Sequence, residues 1–164
     1  MRYALLALLS IVTIVSNGQD PNSQNILALK YETIEGCPVI LATPPNLSKM
    51  LFAGMSDFKA TMKKYGYSLL TDGSGYSAGT PAGGSLYTIT KESDNVLMSF
   101  IPDNNNFAVN FRTLLRKGIS GAKVSYENGA ETYRIRFTYQ DIQYSMKILI
   151  KEDAGFSMIA FILQ

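Results

Sequence analysis

Residues 123–151 read KVSYENGAETYRIRFTYQDIQYSMKILIK. Asn128-Gly129 within this stretch is the strongest short-range hairpin signal in the chain, because both residues tolerate the positive φ of a type I′ turn. A two-residue turn there pairs Glu127 with Ala130, Val124 with Tyr133 and Lys123 with Arg134. Gln140-Asp141 reads as the next turn and pairs Tyr139 with Ile142. Counting back from it, Phe137 opposes Tyr144, Ile135 opposes Met146 and Tyr133 opposes Ile148. These residues share one apolar face, so the two turns agree with the side-chain alternation.

The opposite face of the same strands is basic. Lys123, Arg134 and Lys147 fall in one row across three neighbouring strands, although like charges directly opposite each other are normally destabilising. With an even-numbered turn at Asp153-Ala154, Ala160 continues the row, and Met158 and Ile162 flank it as an apolar strip. Arg136, Thr138, Gln143 and Ser145 complete the face.

Upstream, a helix is predicted from about Phe107 to Lys117. Asn106 caps it, its apolar face is Phe107, Phe111, Leu114 and Leu115, and Gly118 stops it. An earlier helix is predicted from about Ser56 to Tyr65, with Ser56 as N-cap, Asp57 facing the helix dipole and Gly66 as terminator. Strands are expected at Ile26–Tyr31, Val39–Thr43 (closed by Pro44-Pro45), Tyr67–Leu70, Ser85–Lys91, Val96–Ile101, Ala122–Glu127, Ala130–Tyr139, Ile142–Lys151 and Phe156–Leu163. The Gly-rich stretch Thr71–Gly84 reads as a long loop with Tyr76 as a contact residue at its centre.

The fold class that follows is α+β: an antiparallel sheet of about seven strands with two helices packed on one face. Phe58…Met62…Gly66 and Phe111…Leu115…Gly118 look like two copies of one unit, which divides the domain into tandem αβββ half-units, 46–103 and 104–164. This outline is similar to that of the secreted β-lactamase inhibitor proteins, which also contain a duplicated αβ unit. The similarity is one of element order and covers no motif.

The chain opens with a basic Met1-Arg2-Tyr3, an apolar run from Ala4 to Val15, and small residues at Ser16 and Gly18. That order predicts a secretory signal peptide over 1–18, cut near Gly18–Gln19, leaving a single mature domain over 19–164. The apolar run is shorter than the ~20 residues a spanning helix needs, so no membrane span is expected. The expected localisation is secreted or periplasmic.

The formal charge of +2 drops to +1 once Arg2 leaves with the leader. Such a balance gives no reason to expect nucleic acid or an anionic membrane as partner. Cys37 is the only cysteine, so no internal disulfide can form. The chain has no histidine, which removes every Ser-His-Asp and Cys-His triad and the commonest zinc ligand. No cofactor or metal site is expected.

Three motif matches remain. Gly75-Tyr76-Ser77-Ala78-Gly79 fits G-x-S-x-G, but a nucleophile elbow needs a histidine and a strand-to-helix turn. Ser56 and Lys59 fit S-x-x-K, and Ser93-Asp94-Asn95 fits S-D-N, without the K-T-G that completes the set. Asn46-Leu47-Ser48 has the form of a glycosylation acceptor.

Catalytic residues are thus not assigned, and the expected function is a non-catalytic protein-binding module of inhibitor, immunity or envelope-complex type. The residues expected to bind are Lys123, Arg134, Arg136, Lys147, Met158, Ile162 and Tyr76. The expected partner is a secreted or envelope protein with an acidic, partly apolar surface. The alternatives are a small-ligand carrier, or a serine hydrolase using Ser56 and Lys59.

Overall fold

The turns set the architecture. The computed structural model describes residues 25–34, 36–79, 85–101, 106–118, 124–139 and 141–164. The leader, its cleavage position and Lys123 lie outside these residues.

Asn128 and Gly129 both adopt positive φ, 51° and 76°, as a type I′ turn requires. They join β7 (Val124–Glu127) to β8 (Ala130–Tyr139) in the expected register, Val124 opposite Tyr133. β9 (Ile142–Asp153) follows with Tyr133 opposite Ile148, Ile135 opposite Met146 and Phe137 opposite Tyr144, again as counted from the turn. The last turn differs. It is formed by Ala154-Gly155, with Gly155 at φ 75°, one residue later than expected. In β10 (Phe156–Leu163), Ile162 therefore opposes Lys147, and Ala160 opposes Leu149. The turn still holds two residues, so every side chain keeps its face and only the rows shift.

The first half contributes β3 (Ser68–Leu69), β4 (Tyr76–Gly79), β5 (Leu86–Lys91) and β6 (Asn95–Ile101). The eight strands form one antiparallel sheet in the order β3-β4-β5-β6-β10-β9-β8-β7, in which the last strand of each four-strand meander lies at the centre. A separate hairpin pairs β1 (Tyr31–Ile34) with β2 (Cys37–Ile40) around Gly36 at φ 82°.

Among the described residues three helices form, one more than expected. In α1 (Pro44–Phe52), Thr43 is the N-cap, its hydroxyl accepting from the Asn46 N–H, and Pro44-Pro45 occupy the first turn. There proline's fixed φ suits the helix and its missing N–H costs nothing. The proline pair expected to close a strand at Thr43 opens a helix instead, and the strand ends earlier, at Ile40. α2 (Met55–Lys64) has Gly54, not Ser56, as N-cap, and Ser56 is an ordinary residue of its first turn. Its end is a Schellman motif: Gly66, at φ 78°, donates to Lys63 and Tyr67 donates to Met62. α3 (Phe107–Gly118) buries Phe107, Ala108, Phe111 and Leu115, whereas Leu114 is exposed, against expectation.

All three helices lie over one face of the sheet. Phe111 meets Phe161 edge to face, Phe107 stacks on Phe100 with centroids 4.1 Å apart, Phe52 meets Tyr144 and Phe58 meets Tyr76. Val96, Met98, Phe100, Met146, Ile148, Ile150, Ile159 and Phe161 complete the core from the strands. Complete burial of each such side chain contributes about 1.5–3 kcal/mol. Among the described residues no helix is long and apolar enough to cross a membrane.

Two further expectations are corrected. The expected strand at 26–31 is mostly an extended segment without a strand partner, and only Tyr31 enters β1. Asn46, the glycosylation candidate, is buried, and its amide hydrogens are committed to the Lys30 and Leu41 carbonyls.

Candidate functional site

The sheet face away from the helices is built by strand alternation. One row reads Thr132, Leu149, Ala160, Leu97 and Thr90 from β8 to β5; the next reads Arg134, Lys147, Ile162 and Asn95. A third contains Lys151, Met158, Ser99 and Thr88. Leu97, Leu149, Met158 and Ile162 are half-buried around Ala160, which is only 5% exposed. The centre of the face is thus small and apolar, and cations stand toward β8 and β9.

Arg134 and Lys147 are directly opposite each other. Their repulsion is resolved by a residue that the sequence reading paired with Ala130 but did not name on this face. Glu127, on the edge strand β7, lies 2.5 Å from Arg134 Nη2 and 2.8 Å from Lys147 Nζ through its two oxygens. Hydrogen bonds from Lys147 and Arg134, with their charges, hold the Glu127 carboxyl down at about 2 from 4.5. Thr132 is fully buried on the row between Glu127 and the two cations, although no helix among the described residues covers this face. Arg136 is exposed and has no ion-pair partner among the described residues. The expected basic row is therefore neutralised in part, one carboxylate against two cations, and Arg136 and Lys151 add further positive charge on other rows of the face.

Tyr76 is not part of this face. It belongs to β4 rather than to a loop, opposite Ile89, with its ring against Phe58 on the helix side. The flanking glycines are explained by close approach of β5 and the residue before it. A Cβ on Gly75 would come within 2.6 Å of Thr90 Oγ1, and one on Gly79 within 2.5 Å of the Ser85 carbonyl. The G-x-S-x-G spacing thus reflects strand packing, with no strand-to-helix turn. Ser93 and Asp94 turn β5 into β6, and Asn95 bonds back to Glu92. Ser56 and Lys59 are both exposed on α2, and among the described residues no hydrogen bond joins them.

A second polar cluster lies on the helix side. Arg112 of α3 reaches Glu131 of β8 and Glu152 of β9, each at 2.6 Å, and Arg116 reaches Glu131 at 3.4 Å. The Tyr133 hydroxyl donates to the same Glu131 carboxylate. Burial alone would raise the Glu131 pKa, but the hydrogen bonds from Tyr133 and Arg112 and the two guanidinium charges outweigh it and hold the carboxyl low. The sequence offered one signal for this cluster: Glu131 and Glu152 have the parity of the apolar face, where a lone carboxylate is costly. It ties α3 to the sheet with two cations against two anions.

Lys91 acts alone. It donates to the Leu51 carbonyl at 2.8 Å, at the C-terminal end of α1, where a cation suits the helix dipole. Burial pulls its pKa below the ordinary lysine value.

No family model matches this chain, and neither a curated protein nor a solved structure matches it.

Proposed function

We propose that the chain is a protein-binding module that works outside the cytoplasm, secreted or periplasmic, and docks its partner on the sheet face away from the helices. The observation that carries this is the arrangement of that face: an apolar centre of Leu97, Ala160, Leu149, Met158 and Ile162 with Arg134, Arg136, Lys147 and Lys151 beside it. An apolar patch with polar groups at its edge is the usual anatomy of a protein interface. Five strands about 4.8 Å apart, each with about seven residues rising about 3.4 Å, present on the order of 600 Å². A standard-size interface takes about 800 Å² from each partner. The complementary partner is a secreted or envelope protein with an acidic, partly apolar surface. The tandem half-units 46–103 and 104–164 belong to the same reading, each supplying one meander of the face.

The informative substitutions are those that leave the Glu127 bridge intact. Arg136→Glu should abolish capture of the partner from culture medium or periplasm and shift the melting temperature little, since Arg136 is exposed and surface changes usually stay within about 0.5 kcal/mol. Undiminished capture by that variant would sink the reading.

A further inference from the structure

Asn25–Lys30 is extended, and its one backbone bond to a neighbouring segment among the described residues comes from the Leu41 N–H to the Lys30 carbonyl at 3.0 Å, yet its backbone is densely bonded by side chains. The N–H groups of Asn25, Leu27 and Leu29 donate to Asp57 Oδ1, Thr61 Oγ1 and the Tyr65 hydroxyl at 2.9, 2.9 and 3.1 Å. The Tyr65 hydroxyl in turn donates to the Leu29 carbonyl at 3.1 Å. α1 holds the other edge. Lys49 Nζ donates to the Ala28 carbonyl at 2.6 Å, and the Asn46 amide both accepts from the Lys30 N–H and donates to the Lys30 carbonyl.

The match is geometric. Asp57, Thr61 and Tyr65 are four residues apart at and just beyond α2, which spaces them by about 6 Å along the helix axis. Alternate residues of an extended chain are about 6.6 Å apart. One stripe of a helix thereby serves an extended backbone as a neighbouring strand would. Leu29 is buried and Leu27 half-buried, whereas the Ile26, Ala28 and Lys30 side chains are exposed. Recognition thus runs through main-chain groups and two apolar positions two residues apart.

We propose that the cleft between α1 and α2 is a receptor for an extended peptide with apolar residues two apart, and that Asn25–Lys30 is its resident ligand in cis. A segment of that pattern from a partner polypeptide competes for the same groups. The site lies on the helix side and is independent of the sheet face.

The test uses the full chain and the peptide acetyl-Asn-Ile-Leu-Ala-Leu-Lys-amide. Leu27→Pro with Leu29→Pro withdraws two of the resident N–H donors. The resident segment otherwise competes at an effective concentration on the order of millimolar, so the variant should bind the peptide at least about tenfold more tightly than the unsubstituted chain. The resonances of Thr61 and Tyr65 should shift on binding, and a peptide N-methylated at both leucines should not bind. Equal affinity for the two chains, or binding of the N-methylated peptide, overturns the proposal. Should the double variant fail to fold, Thr61→Val in the otherwise intact chain replaces it. Exchange of the Leu27 amide should then quicken about tenfold while that of Ile148 is unchanged. Unchanged exchange at Leu27 overturns the proposal equally.

Discussion

Arg134 and Lys147 face each other directly across β8 and β9, and both reach the carboxylate of Glu127 on β7. Two like charges at opposed positions are thereby held by one anion from the edge of the sheet. Because Glu127 titrates near 2 when folded rather than near 4.5, its contribution is present above the unfolded value and is lost as pH falls toward 2. Glu127→Gln should remove that part of the acid sensitivity. It should also lower the melting temperature more at low salt than at high salt, because the exposed repulsion it uncovers is screened. A pH series of thermal melts at two ionic strengths checks this, and identical acid limbs for the two chains would contradict it.

Glu131 is only 6% exposed and holds Arg112, Arg116 and Tyr133 together. Glu131→Ala strands the partly buried Arg112 with only Glu152 and leaves the Tyr133 hydroxyl without its acceptor. Losing one partner of a buried pair is costly, and with Arg112 still partly solvated the expected loss is about 2–3 kcal/mol. Urea denaturation measures it; a loss below about 1 kcal/mol, the surface-pair range, would show that the cluster behaves as a surface feature.

Burial is the main cause that pushes the Tyr67 hydroxyl up to about 12 from 10.0. It accepts a hydrogen bond from the Ile40 N–H at 3.0 Å and so ties β2 to the segment after α2. Its stabilising contribution is complete below pH 10 and is lost as pH rises through about 12. Tyr67→Phe should cost about 1–2 kcal/mol, the penalty for an unsatisfied buried N–H, and should delete one tyrosinate step near 12 from an absorbance titration. A titration curve that keeps that step would reject the assignment.

Ser157 is fully buried in β10 between Phe100 and Glu152, and its hydroxyl has no hydrogen-bond partner among the described residues. An unpaired buried hydroxyl is a net cost, so Ser157→Ala should raise stability by up to about 1 kcal/mol. A lowered melting temperature would mean that the hydroxyl has a partner in solution.

Turn chemistry made part of this fold legible in the chain alone. Asn128-Gly129 has a single favoured hairpin geometry, so the β7–β8 pairings followed from counting, and those of β8 with β9 followed from the expected turn at Gln140-Asp141. Gly155 was less legible: one glycine beside Asp153 and Ala154 does not settle which two residues form the turn, and the rows moved accordingly. β4 was hidden because Gly75 and Gly79 read as loop residues, when they are glycine to let neighbouring backbone and Thr90 approach. The extended segment at 26–31 showed strand-like residues, but its partners are side chains of α1 and α2 that periodicity along the segment does not display.

The same limit governs the candidate sites. Parity by itself placed Arg134, Arg136, Lys147, Met158 and Ile162 on one face, because strand side chains alternate without exception as long as each turn keeps an even count. Parity also assigned Glu127 to that face. Only the tertiary structure decided that its carboxylate reaches across Thr132 to both cations, that Tyr76 turns to Phe58, and that Glu131 is buried under α3. Local sequence determines period and turn, whereas the partner of a long polar side chain depends on which elements pack beside it. That packing is chosen by the whole chain's burial.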